Sequence, residues 1–412
     1  DRSIVTELAS RYVLDPAAFA DGEIRFSHHL LHDYAVSRLL FRSHNAGELV
    51  DALKERPELA LYARQSLMLH FDYVWDQDRS RERFWSTALA LLNSPLPLVA
   101  RILTTECAVM NLGAWEDFAP LLRRIEAGDE PAKMMLRFCV SGFLDLEDGD
   151  QVKRVGPAWI DLAVHLAEKL PEFHWQVHLL LFKLVPDRGE VDQAIISRAN
   201  LAARLLAKVL RRKAKPEDRV GPDFLTAIRA MCQTGSAAPR ETELVLRPLL
   251  DRQYAEQFGD QVFWVLAEKI KHLIPVLPQL VRDFHVAAYS FESANEGYES
   301  LGHSKIVPMR VKRSDNYEMA HHRLHEDFPD FFAAEPVEAT AAVVRFMPAF
   351  RARSHPSREK RDVRKEFRFR KRTCHLIEDL SSIWASDSSA GRGDDAIAIL
   401  RAARNGWVNL AG

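Results

Sequence analysis

Cysteine is scarce in this 412-residue chain: Cys107, Cys139, Cys232 and Cys374 lie far apart and none belongs to a CxxC pair. That excludes a disulfide framework or a zinc ribbon and fits a reducing compartment. Long apolar runs are lacking as well. Val177 to Val185 and Ala339 to Val344 stop well short of the roughly 20 residues needed to cross a bilayer. No membrane partner is expected. The first thirty residues carry no secretory signal, and the opening Asp1-Arg2-Ser3 has no methionine; the sequence reads as a cytoplasmic piece of a longer polypeptide. A dominant charge is missing too, since 56 Lys and Arg stand against 58 Asp and Glu for a net of -2, so no whole-chain field steers it to nucleic acid. Catalytic signatures are lacking. There is no GxxxxGK[ST] loop to cradle phosphates and no GxSxG elbow. The four cysteines sit in apolar helical patterns typical of buried thiols. Neither enzymatic chemistry nor a cofactor is expected in this chain.

What is abundant is helical periodicity. Hydrophobic residues at 47% and charged residues at 28% match a globular chain and exclude wholesale disorder. Leu201, Leu205, Leu206, Val209 and Leu210 recur at steps that place them on one helix face. Comparable stripes run through Trp159 to Leu170, Phe224 to Met231, Leu244 to Tyr254, Val262 to Ile274 and Leu277 to Ala288. The 20 prolines tend to stand where helices should begin, as in Gly156-Pro157, Lys215-Pro216, Gly221-Pro222 and Ala238-Pro239, because a first turn does not use the missing N–H. Strand patterns are few, chiefly Gly22 to Phe26 and Ile306 to Val311. Many helices of ten to eighteen residues cannot bury their stripes in one bundle. The expected fold is therefore all-α: an irregular α-solenoid of HEAT/armadillo/TPR-like hairpins, without a strict tetratricopeptide period. An irregular helical globule is the alternative.

Residues 1 to 45 read as a helix from Ile4 to Tyr12, a loop with Asp15-Pro16, a short strand ending at Phe26, and a helix capped by Ser27. The segment Phe26-Ser27-His28-His29-Leu30-Leu31-His32-Asp33-Tyr34-Ala35-Val36-Ser37-Arg38-Leu39-Leu40 resembles the end of the winged-helix module in bacterial STAND NTPases of the NACHT or AP-ATPase kind. In that family an F-x-H-x-x-L-x-x-Y-like helix precedes a helical-repeat sensor. Ser304 to Met309, Asp315 to Met319 and Asp327 to Phe331 are similar to the sensor regions of such proteins, some of which serve in antiphage defence. The resemblance implies an N-terminal winged-helix remnant (1–45) followed by a helical-repeat sensor; with the periodicity and charge of the rest, the chain reads as a helical-repeat array (46–289) and a C-terminal helical region (290–412) with an irregular insert (290–315) and a basic helix (351–385). The resemblance also implies a protein ligand, an upstream NTPase domain in the same polypeptide, and a homo-oligomer in the full-length protein. Phe26, His28, His32, Asp33 and Tyr34 would form a polar seam between modules, able to rearrange its hydrogen bonds in a switch.

Of the 16 histidines, three pairs have the i, i+4 spacing that can put two imidazoles on one ion: His28/His32, His174/His178 and His321/His325. None has the glutamate that a zinc protease places directly after the first histidine. The His321-to-Asp327 cluster, with adjoining carboxylates, is the best metal candidate; chance spacing in a helical chain explains all three equally, and no metal is assigned. From Arg351 to Arg372, eleven basic residues outnumber three acidic ones. Arg361, Arg364, Lys365, Arg368, Arg370 and Arg372 are the candidate anion or partner contacts, since basic charge early in a helix opposes its dipole and external anions would offset it. Three readings stay open for this segment: a solvated face, a protein contact, and a phosphate-backbone contact that would make the chain a nucleic-acid-binding scaffold. A second basic ridge, Arg204, Lys208, Arg211, Arg212, Lys213 and Lys215, ends a helix and suits its dipole. The leading functional expectation is a sensor module that recognises a protein ligand and relays binding to the upstream nucleotide switch.

Overall fold

The computed structural model describes residues 2–11, 13–15, 26–41, 45–187, 189–213, 220–291, 298–301 and 309–353. Among them the chain is helical apart from one short β-hairpin and one isolated β-bridge. It divides into two units, Asp1–Ala163 and Val164–Gly412.

The first unit contains α1 (Arg2–Ser10), α2 (His29–Leu39), α3 (Ala46–Glu55), α4 (Leu59–Tyr62), α5 (Arg64–Gln77), α6 (Glu82–Leu92), α7 (Leu98–Asn111), α8 (Ala119–Glu126), α9 (Glu130–Leu144) and the larger part of α10 (Gly149–Lys169). Local chemistry sets the boundaries. Asn45 and Glu48 form a reciprocal capping box at the start of α3, with bonds of 3.0 and 2.8 Å. At the α8–α9 turn Gly128 adopts φ +87°; its N–H donates to the Ile125 carbonyl and that of Asp129 to Arg124, closing α8 in a Schellman motif. Asp129 then caps α9 through the N–H of Ala132, so two adjacent residues end one helix and start the next. α5 packs on α7 and α7 on α9, while α6 touches α7, α8 and α9. Through this layer runs a line of buried rings, Trp75, Phe84, Trp85, Phe118, Trp159 and Phe143, with successive centroids 4.6 to 5.6 Å apart.

Two sequence expectations are revised in α2 and α10. Ser27 does not cap α2. Its hydroxyl donates to the Val13 carbonyl, and His28 takes the cap, its Nδ1 accepting from the N–H of Leu30. Gly156-Pro157 does not begin a helix either, since α10 starts eight residues before Pro157, where Asp148 Oδ1 accepts from the N–H groups of Asp150 and Gln151. An interior proline costs about 3 kcal/mol. Burial of Val155, Ala158, Trp159, Ile160 and Leu162 around it offsets that loss.

The second unit contains α11 (His174–Leu184), α12 (Ile196–Lys213), α13 (Pro222–Thr234), α14 (Pro239–Leu246), α15 (Arg252–Lys269), α16 (Pro278–Ser290), β1 (Tyr298–Leu301), β2 (Met309–Lys312), α17 (Arg313–Ala334) and α18 (Pro336–Arg353). α13 and α14 begin at the expected prolines. The expected helix over Leu244 to Tyr254 is broken, because α14 ends at Leu246, Arg247–Leu250 makes a 3-10 turn containing Pro248, and α15 begins at Arg252. Next-but-one helices again pack together, α11 on α13, α13 on α15, α15 on α17 and α16 on α18, and so do the consecutive pairs α11 with α12, α12 with α13 and α17 with α18. The stripe read from α12 is shifted in the structure. Ala199, Ala202, Ala203, Leu206 and Ala207 are fully buried, whereas Leu201, Leu205, Val209 and Leu210 are only half-buried. Small side chains thus make up most of the buried face of α12, which packs on α11, α13 and α14. β1 and β2 pair antiparallel with Tyr298 opposite Lys312 and Leu301 opposite Met309, so part of the Ile306 to Val311 expectation falls on β2. Residues 302–308 and the expected strand over 22–25 lie outside the described residues.

Candidate interaction surfaces

α2 is held against α5 by a polar pair and a stacked cation. Asp33 Oδ1 accepts from the Ser66 hydroxyl at 2.9 Å, and the Arg38 guanidinium lies 3.8 Å from the Tyr73 ring centroid. Positions 33 and 38 of α2 thus meet positions 66 and 73 of α5, so the two helices run parallel. Phe26 sits just before α2, joined to Leu14 by the β-bridge, and its ring meets His32 edge-on at 5.7 Å. His28 and His29 stack at 4.3 Å, and His32 Nδ1 is 3.6 Å from Asp33 Oδ1. Of the five seam residues, the structure therefore brings Phe26, His32 and Asp33 together. His28 serves as a helix cap. Tyr34 faces outward.

That outward face is apolar. Leu30 and Tyr34 are 50% and 53% exposed, and with Arg38 they form an i, i+4, i+8 line, Leu31 lying beside it. Arg38 also lies 5.2 Å from the Tyr34 ring, which puts its guanidinium between two tyrosines. Leu61 and Tyr62 of α4, directly before α5, are exposed as well. The seam reading included Tyr34 but missed Arg38 and Tyr73. Tyr34 and Arg38 are four residues apart and so were legible as a helical pair; Tyr73 comes from a different helix.

In the second unit, α11 presents Trp175, His178 and Phe182 as an aromatic ridge at i, i+3, i+7 spacing. Trp175 and Phe182 are 45% and 54% exposed, and the buried His178 ring lies between them, 4.6 Å from Trp175 and 6.5 Å from Phe182. Arg229 of α13 sits over Phe182 and pairs with Asp187. His174 Nδ1 donates to Asp223 Oδ2 at 2.9 Å, which fixes the tautomer and leaves Nε2 as the other nitrogen. Burial holds the His178 imidazole below its ordinary range, against the pull of the nearby Asp223. His174 and His178 share a helix side, yet one is engaged by a carboxylate and the other is buried and neutral. Among the described residues no group of three or more His, Cys, Asp and Glu side chains is arranged to hold a metal ion.

The His321-to-Asp327 cluster is split by the helix. His321 turns inward, its Nε2–H donating to the Ala288 carbonyl at 2.7 Å and its ring stacked 4.7 Å from Tyr289, while His322, Arg323, Glu326 and Asp327 pair among themselves on the other side. Burial raises the Asp327 carboxyl above its usual range, with Arg323 opposing. Cys107, Cys139 and Cys232 are fully buried and their thiols are pushed upward by desolvation, Cys232 to about 12. Such thiols are poor nucleophiles. Arg361, Arg364, Lys365, Arg368, Arg370 and Arg372 lie outside the described residues. No helix among the described residues is long and apolar enough to cross a membrane. Compared with known protein families, with curated proteins and with solved structures, the chain has no match.

Proposed function

We propose that this chain is a protein-interaction module, an α-solenoid that recognises a protein ligand. The observation that carries the proposal is the placing of large apolar side chains at the surface: Leu30, Leu31 and Tyr34 on α2, whose other side meets α5, and Trp175 and Phe182 on α11. Aromatic residues and arginine are the side chains that dominate protein–protein binding energy when a partner desolvates them. Two features support the solenoid part of the reading. Several helices pack on next-but-one as well as consecutive neighbours within each unit. Side-chain bonds recur at offsets near forty residues, such as Arg64 to Glu106, Arg81 to Asp117, Asn111 to Asp72, Arg229 to Asp187 and Arg247 to Asp283, which is the spacing of stacked helical hairpins.

The resemblance of Phe26 to Leu40 to the end of a STAND winged helix supports a further part of the proposal. The module relays ligand binding to a nucleotide-switched domain upstream in the same polypeptide, by favouring the state to which the ligand binds better. α2 would lie at that junction. Two measurements test this. A partner recovered by affinity purification is reconstituted with the purified chain, and binding is expected to weaken for Trp175→Ala or Tyr34→Ala; failure of every purified candidate to bind removes the module reading. Nucleotide hydrolysis by the longer polypeptide is expected to rise with the partner, and hydrolysis indifferent to it removes the relay.

A further inference from the structure

We propose that the outer face of α2 is a docking site for an acidic, apolar segment of a partner protein, with Arg38 as its carboxylate receptor. This rests on the interaction-module reading and names the chemistry of one partner. Arg38 is fixed between the Tyr34 ring at 5.2 Å and the Tyr73 ring at 3.8 Å. Among the described residues it makes no ion pair and no hydrogen bond. A guanidinium presents five N–H donors in a planar fork that matches a carboxylate, and stacking on aromatic rings leaves that fork in place. Of the three acidic residues on its own two helices, Asp33 is engaged by Ser66 and Asp72 by Asn111, and the exposed Asp76 makes no ion pair with it. α2 itself has no other acidic residue, and His28, His29 and His32 are exposed on or beside it.

The apolar part of the site comes from the same helix line. Leu30 and Tyr34 precede Arg38 by eight and four residues, with Leu31 alongside. An acidic side chain flanked by aliphatic or aromatic residues satisfies both parts at once: the carboxylate takes the fork, and its neighbours cover the leucines and desolvate the pair. Electrostatic complementarity of this kind fixes partner choice and register. A nucleic-acid backbone fits less well, because it is bound by many cations spread along it, and this surface offers one guanidinium amid leucines.

The test uses random linear peptides displayed on phage and selected against the full chain, followed by titration of synthetic copies of the enriched peptides. The enriched peptides are expected to carry Asp or Glu next to Leu, Ile or Phe, and to bind more weakly as salt rises. Their affinity is expected to fall about tenfold for Arg38→Gln. Arg38→Lys, which keeps the charge without the fork, is expected to restore only part of it, and circular dichroism of both variants should match that of the parent chain. Enriched peptides that lack a carboxylate, or that bind Arg38→Gln undiminished, overturn the site while leaving the module reading in place. A dimer of the chain in sedimentation that Leu30→Ser dissolves would assign the face to a second copy and also overturn it. An empty selection removes the site, and the partner reconstitution above then decides the module reading.

Discussion

Single side chains in this protein act mainly by filling or neutralising positions the backbone has already made. Among the described residues Arg81 is the only non-glycine residue with positive φ, at 60°. It holds that left-handed conformation where α5 turns into α6 because its side chain is over-determined: Nε donates to Asp117 Oδ1 at 2.8 Å, the guanidinium covers Trp75 at 4.4 Å and also bonds the Trp75 and Asp78 carbonyls. Asp117 in turn accepts from the N–H groups of Gly113 and Ala114. Both side chains of the pair are mostly buried, so breaking it leaves an uncompensated carboxylate. Arg81→Ala is expected to destabilise the chain by about 3 kcal/mol in urea unfolding, and Arg81→Gly by somewhat less, since glycine relieves the positive φ. Equal losses would mean that the backbone conformation contributes nothing. His285 acts through burial. It lies among Phe284, Tyr289, Phe328 and Phe331, and desolvation lowers its imidazole to about 3. In the unfolded chain it takes a proton near pH 6.5, while the native state refuses it until far lower pH, so the unfolded state binds more protons across that interval. Stability is thus full above about pH 6.5 and falls by up to about 1.4 kcal/mol per pH unit below it. His178 and His272 shift in the same direction and add to the slope. Unfolding midpoints measured between pH 7 and pH 5 should decline, and less steeply in His285→Phe.

At the level of the helix, close approach is set by what a neighbour does not carry. A Cβ on Gly259 of α15 would clash with Tyr317 Oη on α17, whose hydroxyl donates to the Ala255 carbonyl at 2.6 Å. Gly259→Ala is expected to cost about 1 to 3 kcal/mol through overpacking. In a Tyr317→Phe background the same substitution should cost less, because the clashing oxygen is gone; additive losses in thermal unfolding would show that the helices do not meet there as described. α12 makes the same point with alanines. Its leucines were the visible stripe in the sequence, but the alanines are the buried residues, and Asn200 among them is satisfied by Thr242, Thr234 and Arg204. Nothing in hydrophobic periodicity separates a residue at the centre of a helix contact from one at its flank.

For the whole molecule, the division into two units has a direct chemical readout. Cys107 and Cys139 are buried in the first unit and Cys232 in the second. With Cys374 replaced by serine, native protein should resist a thiol reagent, and labelling should report unfolding. Cys107 and Cys139 are expected to label at one common rate, with Cys232 free to differ; separate rates for Cys107 and Cys139 would show that the first unit does not open as one body. The helical class, the starts of α13 and α14 and the burial of these cysteines were legible in the sequence, because they depend on local periodicity, proline's missing N–H and the hydrophobicity of single residues. Even there, tertiary contacts overruled the local signal at Pro157, where packing carried α10 through, and at Ser27, whose hydroxyl was drawn to Val13 instead of the helix end. The surfaces were less legible than the elements. His321 and His322 are adjacent in sequence, yet one is stacked in the core and the other pairs in solvent, and only the position of α16 decides which. Arg38 is one basic residue among 56 Lys and Arg. Composition cannot distinguish it. Its place between Tyr34 and Tyr73 exists only because α2 lies parallel to α5, bringing together groups thirty-five residues apart in the chain. The sequence by itself determined that the chain is helical and where several of its helices begin, since those follow from short-range geometry. Which exposed side chains share a surface, and which charges have partners, was decided by the tertiary structure, because those depend on long-range packing that no local pattern encodes.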